Sequence, residues 1–238
     1  IISFKFSEAP VGFEASDIIV TGGTLSALTV DAGDPSLYTA VFTPTEGSTE
    51  PVSITVAEGS YTDVAGNIGG GSGGGGDGGS DPAFSIMVDT LAPDVTITSD
   101  VDTLASGETA IISISFTETP VGFDDVDIIV TGGSLSPVVV DASDDRLFTA
   151  IFTPAADSTE TPSMTLPAAS YTDAAGNDGT EGVSPSITVD TAVPGVTLSA
   201  EAAILSGVFE VTATFSEEMT GFELSDIVVE NGVASTLT

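Results

Sequence analysis

The chain has 238 residues, enough for two domains of ordinary size. It contains 36 Asp and Glu but only 2 Lys and Arg and no His, so its formal net charge is −34. Nucleic acids and anionic lipids bind to clustered cationic side chains, so this composition excludes nucleic acid as a partner and favours metal cations. Because Cys and His are both absent, it also excludes thiol chemistry, zinc-finger sites and imidazole-based catalysis.

The chain is acidic but not poor in apolar residues. Hydrophobic residues make up 41% and charged residues only 16%, a balance that can build a folded core. No apolar run approaches the ~20 residues that cross a bilayer. The amino terminus also lacks the basic and apolar regions of a signal peptide. We therefore expect no direct insertion into a membrane.

An internal repeat organises the sequence. Three motifs occur in a constant order, which predicts tandem units of about 100 residues each. The motifs are FSEAPVGFEASDIIVTGG at Phe6 with variants at Phe116 and Phe215, YTDxAGN at Tyr61 and Tyr171, and VDTxxP at Val88 and Val189.

The repeat predicts three modules and a short link between them. Residues 1–90 form a module that lacks its first strand, 91–191 a complete module, and 192–238 the start of a third. A Gly-rich loop at 69–81 lengthens the first module, and we expect it to be flexible and structurally inessential. The proline of the Asp-Thr-x-x-Pro link stiffens the joint. Because both ends fall inside a module, we expect a window on a longer array; alternatively, neighbouring chains supply the missing strands.

Alternation of apolar and polar residues predicts β-strands. In the complete module Ile112, Ile114 and Phe116 share one face, and polar residues occupy the other. The predicted strands of this module cover 94–99, 110–117, 127–131, 135–141, 147–153, 162–167 and 185–190. About seven short strands per module, separated by Gly, Pro, Asp and Asn turns, predict an all-β fold of tandem immunoglobulin-like antiparallel β-sandwiches.

The ordered motifs resemble the bacterial Ig-like repeats of very large secreted surface proteins, including the stalks of RTX-type adhesins. The resemblance covers both long units and the partial third. It implies an extracellular location on the bacterial cell surface, a structural role without enzymatic activity, and calcium at or near module junctions. It also implies a stalk that holds a terminal binding domain away from the cell. The alternative is a self-assembling filament or surface layer in which neighbouring chains exchange strands.

Acidic loops at one pole of each module are the candidate calcium sites. Alternating strand directions bring together the link, the loop after Phe116 and the loops at 141–145 and 173–177. Calcium takes six to eight oxygen ligands from carboxylates, carbonyls and amides, which these loops supply. The predicted ligands are Glu8, Asp63, Asn67, Asp89, Glu118, Asp173, Asn177, Asp190 and Glu217. Further candidates are Asp17, Asp127 and Asp226, where the next strand begins.

Each of these features also has a simpler explanation. The sequence Asp-x-Ala-Gly-Asn forms turns that bond their own backbone. A second acidic group, Asp141, Asp144 and Asp145, is better explained as a solvated loop beside Arg146. Paired carboxylates occur in glycosidases, but aromatic residues are only 6% and Trp is absent, which disfavours sugar stacking. We therefore predict no enzymatic activity.

Overall fold

The computed structural model describes residues 1–70, 84–183, 185–201 and 207–238. Within these ranges the regular secondary structure consists of strands and three short 3-10 turns, which confirms the predicted all-β fold. None of the described residues belongs to a helix long and apolar enough to span a bilayer. Most of the predicted flexible Gly-rich loop, residues 71–81, lies outside the described part of the chain.

The first module places its strands in three small sheets. The sheet orders are β1-β5-β4, β2-β7-β8 and β3-β6, and all pairs are antiparallel. Its core is a cluster of buried side chains: Phe13, Ile18, Val52, Ile54 and Val56. The strands are β1 (Ile2–Lys5), β2 (Ile18–Thr21), β3 (Gly23–Leu25), β4 (Thr29–Val30), β5 (Leu37–Ala40), β6 (Phe42–Pro44), β7 (Pro51–Val56) and β8 (Phe84–Met87).

The second module is built around a five-stranded antiparallel sheet of order β13-β15-β11-β9, with β14 also paired to β15. Two further pairs, β12 with β16 and β10 with β17, contribute side chains to the same core. The strands are β9 (Val95–Ser99), β10 (Thr103–Ala105), β11 (Ala110–Phe116), β12 (Ile129–Thr131), β13 (Gly133–Leu135), β14 (Val139–Val140), β15 (Leu147–Pro154), β16 (Ser163–Thr165) and β17 (Thr188–Asp190).

The alternation along β11 explains the core of this module. Its residues Ile112, Ile114 and Phe116 are buried, as the period of two predicts, whereas the intervening side chains face outward. Met164 of β16 and Val189 of β17 are buried in the same cluster. Full burial of each such side chain stabilises the fold by roughly 1.5–3 kcal/mol, so the two sheet layers hold each other together.

Several predicted strands have different bounds in the structure: 162–167 is strand only over Ser163–Thr165, and 185–190 only over Thr188–Asp190. The segment predicted at 135–141 is split between β13 and β14 because Ser136 takes over the bonding at the break. Its N–H donates to the Ile151 carbonyl, and its Oγ accepts from the Ile151 N–H. The segment predicted at 127–131 begins as strand only at Ile129, because Asp125–Asp127 form a 3-10 turn.

One strand was not predicted. The three residues of β10 pair with β17 in parallel, so the module is not antiparallel throughout. Three residues are too few to show a period of two, and the pairing joins distant parts of the chain. The third segment contains the hairpin of β18 (Val196–Ala200) and β19 (Val211–Phe215), which corresponds to β9 and β11.

Candidate metal site at the module junction

Aromatic packing holds two loops at one end of the second module. Phe116, at the end of β11, meets Tyr171 edge to face with ring centroids 4.9 Å apart. The buried Tyr171 hydroxyl donates to the Pro93 carbonyl at 3.1 Å, and desolvation raises the pKa of this phenol. Glu118 and Asp173 each follow one of these rings by two residues, so the rings fix where both acidic loops begin.

The loop after Tyr171 is a closed turn around Asp173. The backbone N–H of Asn177 donates to Asp173 Oδ1 at 2.8 Å, and Asn177 Nδ2 donates to Oδ2 at 2.7 Å. Asp63 and Asn67 make the equivalent bonds in the first module. The turn chemistry is therefore present. It leaves room for a metal ligand, because each carboxylate oxygen has a second lone pair.

Gly176 closes this turn with φ of +91°, a left-handed conformation that favours glycine. A Cβ at this position would have no neighbour within 4 Å, so alanine would add backbone strain without a steric clash. We expect Gly176→Ala to destabilise the second module by about 1 kcal/mol, measured by urea unfolding. Gly33→Ala is the control, since Gly33 is not in the left-handed region. An equal loss in both variants would contradict this explanation.

The first module holds the link on both sides of Asp89. Val88 packs against the core of the first module. The Thr90 N–H donates to the Ser48 carbonyl of the same module at 2.9 Å. Asp89 lies between these two anchors, so the first module restrains its position.

The same link residue also reaches the second module. The Asp89 carbonyl accepts a hydrogen bond from Asn177 Nδ2 at 3.2 Å. Four residues later the chain enters the second module, where Pro93 is buried and its carbonyl accepts from the Thr180 N–H at 3.0 Å. Asp89 is therefore the point at which the two modules meet.

Three carboxylates converge at this point. One ligand oxygen each from Asp89, Glu118 and Asp173 lies within 4.8 Å of the other two, and no other such group occurs in the ranges that the structure covers. Asp173 is only 2% exposed. Desolvation, followed by the negative charges of Asp173 and Asp89, raises the pKa of Glu118. Burial also opposes ionisation of Asp173, but hydrogen bonds from Asn177 and the turn backbone outweigh it and lower its pKa.

The cationic side chains of the protein are engaged with other carboxylates. Arg146 Nε lies 3.0 Å from Asp144 Oδ1, and Lys5 pairs with Asp34. The hydrogen bond from Lys5 lowers the pKa of Asp34 to about 2. No Lys or Arg is left over for the three-carboxylate group, because the chain has only these two. A donor set of carboxylate oxygens alone fits a hard divalent cation such as calcium.

The family model of the bacterial Ig-like domain matches residues 1–77, 89–189 and 190–238, which is most of the chain. The chain belongs to this family. No curated protein matches it. Among solved structures, it is similar to FdeC, an Escherichia coli adhesin that elicits protection against urinary tract infections, at 14% identity and a TM-score of 0.33. The alignment covers 90% of this chain and 62% of the FdeC chain, so this chain spans less than two thirds of that one.

The other two bacterial Ig-like modules supply only part of the predicted ligand set. In the first, Asp63 and Asn67 form the turn and Glu8 lies in the loop after β1, and residues 1–7 contain no counterpart of the link aspartate. In the third, Asp190 and Glu217 are present, and residues 192–238 contain no counterpart of the turn aspartate. Within the described residues neither set forms a group of three acids.

The further candidates at the next strand have a different role. Asp17, Asp127 and Asp226 each end a 3-10 turn, and each carboxylate accepts the backbone N–H three residues earlier, at 2.8–2.9 Å. They are capping residues outside the three-carboxylate group, because the 3-10 turn directs each side chain back onto its own backbone.

The second acidic loop also lies outside the group. Asp141 Oδ1 accepts from the N–H and the hydroxyl of Ser143, and Asp144 pairs with Arg146. These contacts are local and exposed, as the interpretation as a solvated loop predicts.

Sequence reasoning did not assign a role to the threonine of the link. Thr90 and Thr191 both bond to the module that precedes them. The signal was present, because the threonine recurs in both Asp-Thr-x-x-Pro links, but only the structure shows its partners.

Proposed function

We propose that the chain is a segment of the stalk of a bacterial surface adhesin, in which calcium stiffens the joint between successive Ig-like modules. One observation carries this proposal. Asp89 is held by the first module, and its carboxylate meets those of Glu118 and Asp173 from the second module within 4.8 Å. A cation bound by all three carboxylates would connect two modules that are otherwise joined by a single strand of chain.

The residues present at the junction fit calcium. Asp89, Glu118 and Asp173 would hold the ion through carboxylate oxygens, while Asn177 orients both Asp173 and the Asp89 carbonyl through hydrogen bonds. Calcium, when bound, supplies two positive charges and accepts further oxygen ligands. The turn around Asp173 is already closed by hydrogen bonds, so it does not need the ion in order to form.

Repulsion between the carboxylates explains why a bound cation should close the joint. Without a cation the three carboxylates repel one another: besides desolvation, the charges of Asp173 and Asp89 raise the pKa of Glu118. The repulsion decreases when Asp89 moves away from Glu118 and Asp173, so it favours an open joint. A bound divalent ion replaces that repulsion with attraction and stabilises the folded, closed arrangement by preferential binding.

The wider role follows from the family and the motifs. A tandem of β-sandwich modules is suited to act as a spacer on the outside of the cell, with calcium and adjacent modules as its partners. The order of the motifs alone supports the narrower assignment to RTX-type adhesins.

Removal of calcium tests the mechanism. We expect EDTA to lower the melting temperature of the chain and to shorten its maximum dimension in X-ray scattering, relative to a sample in calcium. Asp89→Asn should abolish most of this response, whereas the matched control Asp190→Asn should retain it, because Asp190 belongs to no group of three acids among the described residues. A wild-type chain that shows no change in either measurement would remove calcium from the function.

A further inference from the structure

Thr90 is tied to a turn of the first module through its backbone and its hydroxyl. Its N–H donates to the Ser48 carbonyl at 2.9 Å, and its carbonyl accepts from the Gly47 N–H at 3.2 Å. Its Oγ1 donates to the Thr45 carbonyl at 2.7 Å and accepts from the Ser48 N–H at 3.0 Å. We call this arrangement the threonine clasp.

The second link repeats the amide and hydroxyl bonds of this clasp. The Thr191 N–H donates to the Ser158 carbonyl at 2.9 Å. Its Oγ1 donates to the Ala155 carbonyl at 2.7 Å and accepts from the Ser158 N–H at 2.9 Å. Thr191 is 4% exposed. The two turns differ in sequence, Thr-Glu-Gly-Ser and Ala-Ala-Asp-Ser, but every partner of the hydroxyl is a backbone group, so the geometry does not depend on the turn side chains.

The second module holds Asp89 without using the clasp. The Asp89 carbonyl accepts from Asn177, and its Oδ1 accepts from the Leu91 N–H at 3.1 Å. Neither bond involves Thr90. Asp89 is therefore held by the link and by Asn177 of the second module, and the clasp is a separate attachment of the adjacent residue to the first module.

We propose that the Thr90 hydroxyl is the positioning group that couples the junction site to the first module. Binding of a cation to Asp89, Glu118 and Asp173 stiffens the joint because the next residue is fixed in the 45–48 turn. Without the hydroxyl the site still assembles on the second module, but the first module keeps only the Val88 packing and the backbone bonds of Thr90 and turns more freely about the link. The part of this inference that concerns calcium rests on the proposed function, whereas the attachment by the clasp does not require metal.

The test is Thr90→Val, which keeps the shape of the side chain and removes its hydroxyl. Loss of a hydrogen-bonded hydroxyl should raise the population of the open clasp about tenfold, seen as faster hydrogen exchange of the Gly47 and Ser48 amides. We would place spin labels at Thr24→Cys and Ser134→Cys in the wild type and in Thr90→Val. The distribution of distances between the labels should be broader in Thr90→Val than in the wild type in EDTA, and it should remain broad in calcium. These sites lie at exposed positions of β3 and β13, and the chain has no native cysteine.

A measurement of calcium affinity distinguishes a role of Thr90 in coupling the two modules from a role in binding the ion. By titration calorimetry Thr90→Val should bind calcium within about threefold of the wild type, which is less than the effect of losing one ligand. Thr90→Ser, which retains a hydroxyl, should restore the narrow distance distribution. Thr191→Val removes the clasp of the second link and should leave the distances between the first two modules unchanged.

The outcomes are distinct. A Thr90→Val chain with a distribution as narrow as that of the wild type in EDTA and in calcium would overturn the inference and leave the proposed function intact. Loss of calcium binding in this variant would also overturn it, because Thr90 would then be part of the site. If the wild-type chain does not respond to calcium, the proposed function is wrong. The comparison of Thr90→Val with the wild type in EDTA would still show whether the clasp restricts the joint.

Discussion

Glu118→Gln should stabilise the second module in EDTA and weaken its stabilisation by calcium. In the absence of a cation Glu118 is ionised beside Asp89 and Asp173, and its raised pKa shows that the folded state disfavours this charge. Glutamine removes the desolvated charge and its repulsion by Asp173 and Asp89, so the melting temperature in EDTA should rise by about 1–3 °C, a small gain because the side chain is partly solvated. In calcium the same change removes a ligand, and the effect has the opposite sign.

The effect of Glu118→Gln on stability should be larger in calcium than in EDTA. At 100 times the wild-type Kd, calcium stabilises the wild type by about 2.7 kcal/mol, and a tenfold weaker variant by only about 1.4 kcal/mol. Glu8→Gln is the matched control, because Glu8 occupies the equivalent position but belongs to no group of three acids in the described residues. Calorimetric melting in EDTA and in calcium measures both effects. A change of the same sign in both conditions would contradict the proposed site.

The pH dependence of the second module provides an independent check on Glu118. Because its pKa is raised in the folded state, its ionisation costs stability, and this cost is absent below the ordinary value of 4.5 and complete above the raised folded value. In EDTA the stability of the wild type should therefore decline as pH rises through this window. Glu118→Gln should remove the decline, as measured by urea unfolding at successive pH values.

Asp173→Ala should have the largest effect of any single change at the junction. Asp173 is buried, and both of its carboxylate oxygens accept hydrogen bonds from Asn177. Removal of the carboxylate leaves those donors without their acceptor, at a cost of about 3 kcal/mol, and also removes a proposed calcium ligand. The second module should thus be much less stable in EDTA and should gain little from calcium.

Asp63→Ala is the control for this variant, because Asp63 forms the same turn in a more exposed setting. We expect a smaller loss that is confined to the first module. Hydrogen exchange of β11 against β7, followed by mass spectrometry, separates the two modules within one chain. Equal losses in the two variants would show that burial and the junction add nothing to the turn.

Acid should act on Asp173 in the opposite direction to Glu118. The folded-state pKa of Asp173 is below its ordinary value of 3.8, so its contribution to stability is complete above that value and is lost as pH falls through the lowered one. Asp173→Ala should flatten this acid limb of the stability curve.

The sequence predicted the core strands because burial on one face imposes a period of two. Ile112, Ile114 and Phe116 alternate clearly, and they line the core of the second module. The short strand β10 escaped prediction because three residues are too few to show a period of two. The β10 strand exists only because β17, far along the chain, is there to pair with it.

For the site, sequence reasoning named Asp89, Glu118 and Asp173 as one set, and the structure brings their carboxylates together. Metal binding at this set stays a prediction. The same reasoning offered Asp127 as a further candidate, but its carboxylate lies outside this group and accepts the Asp124 N–H within a 3-10 turn. Spacing in sequence does not show whether a carboxylate turns toward a neighbouring loop or back onto its own backbone.

By itself, the sequence determined the repeat, the family, the all-β fold and the excess of negative charge, because these depend on composition and on periods within a few residues. The tertiary structure decided which carboxylates meet and that Thr90 bonds to the module before it. These contacts join segments distant in the chain, and their distances follow from the packing of whole sheets and aromatic rings, which no local pattern encodes.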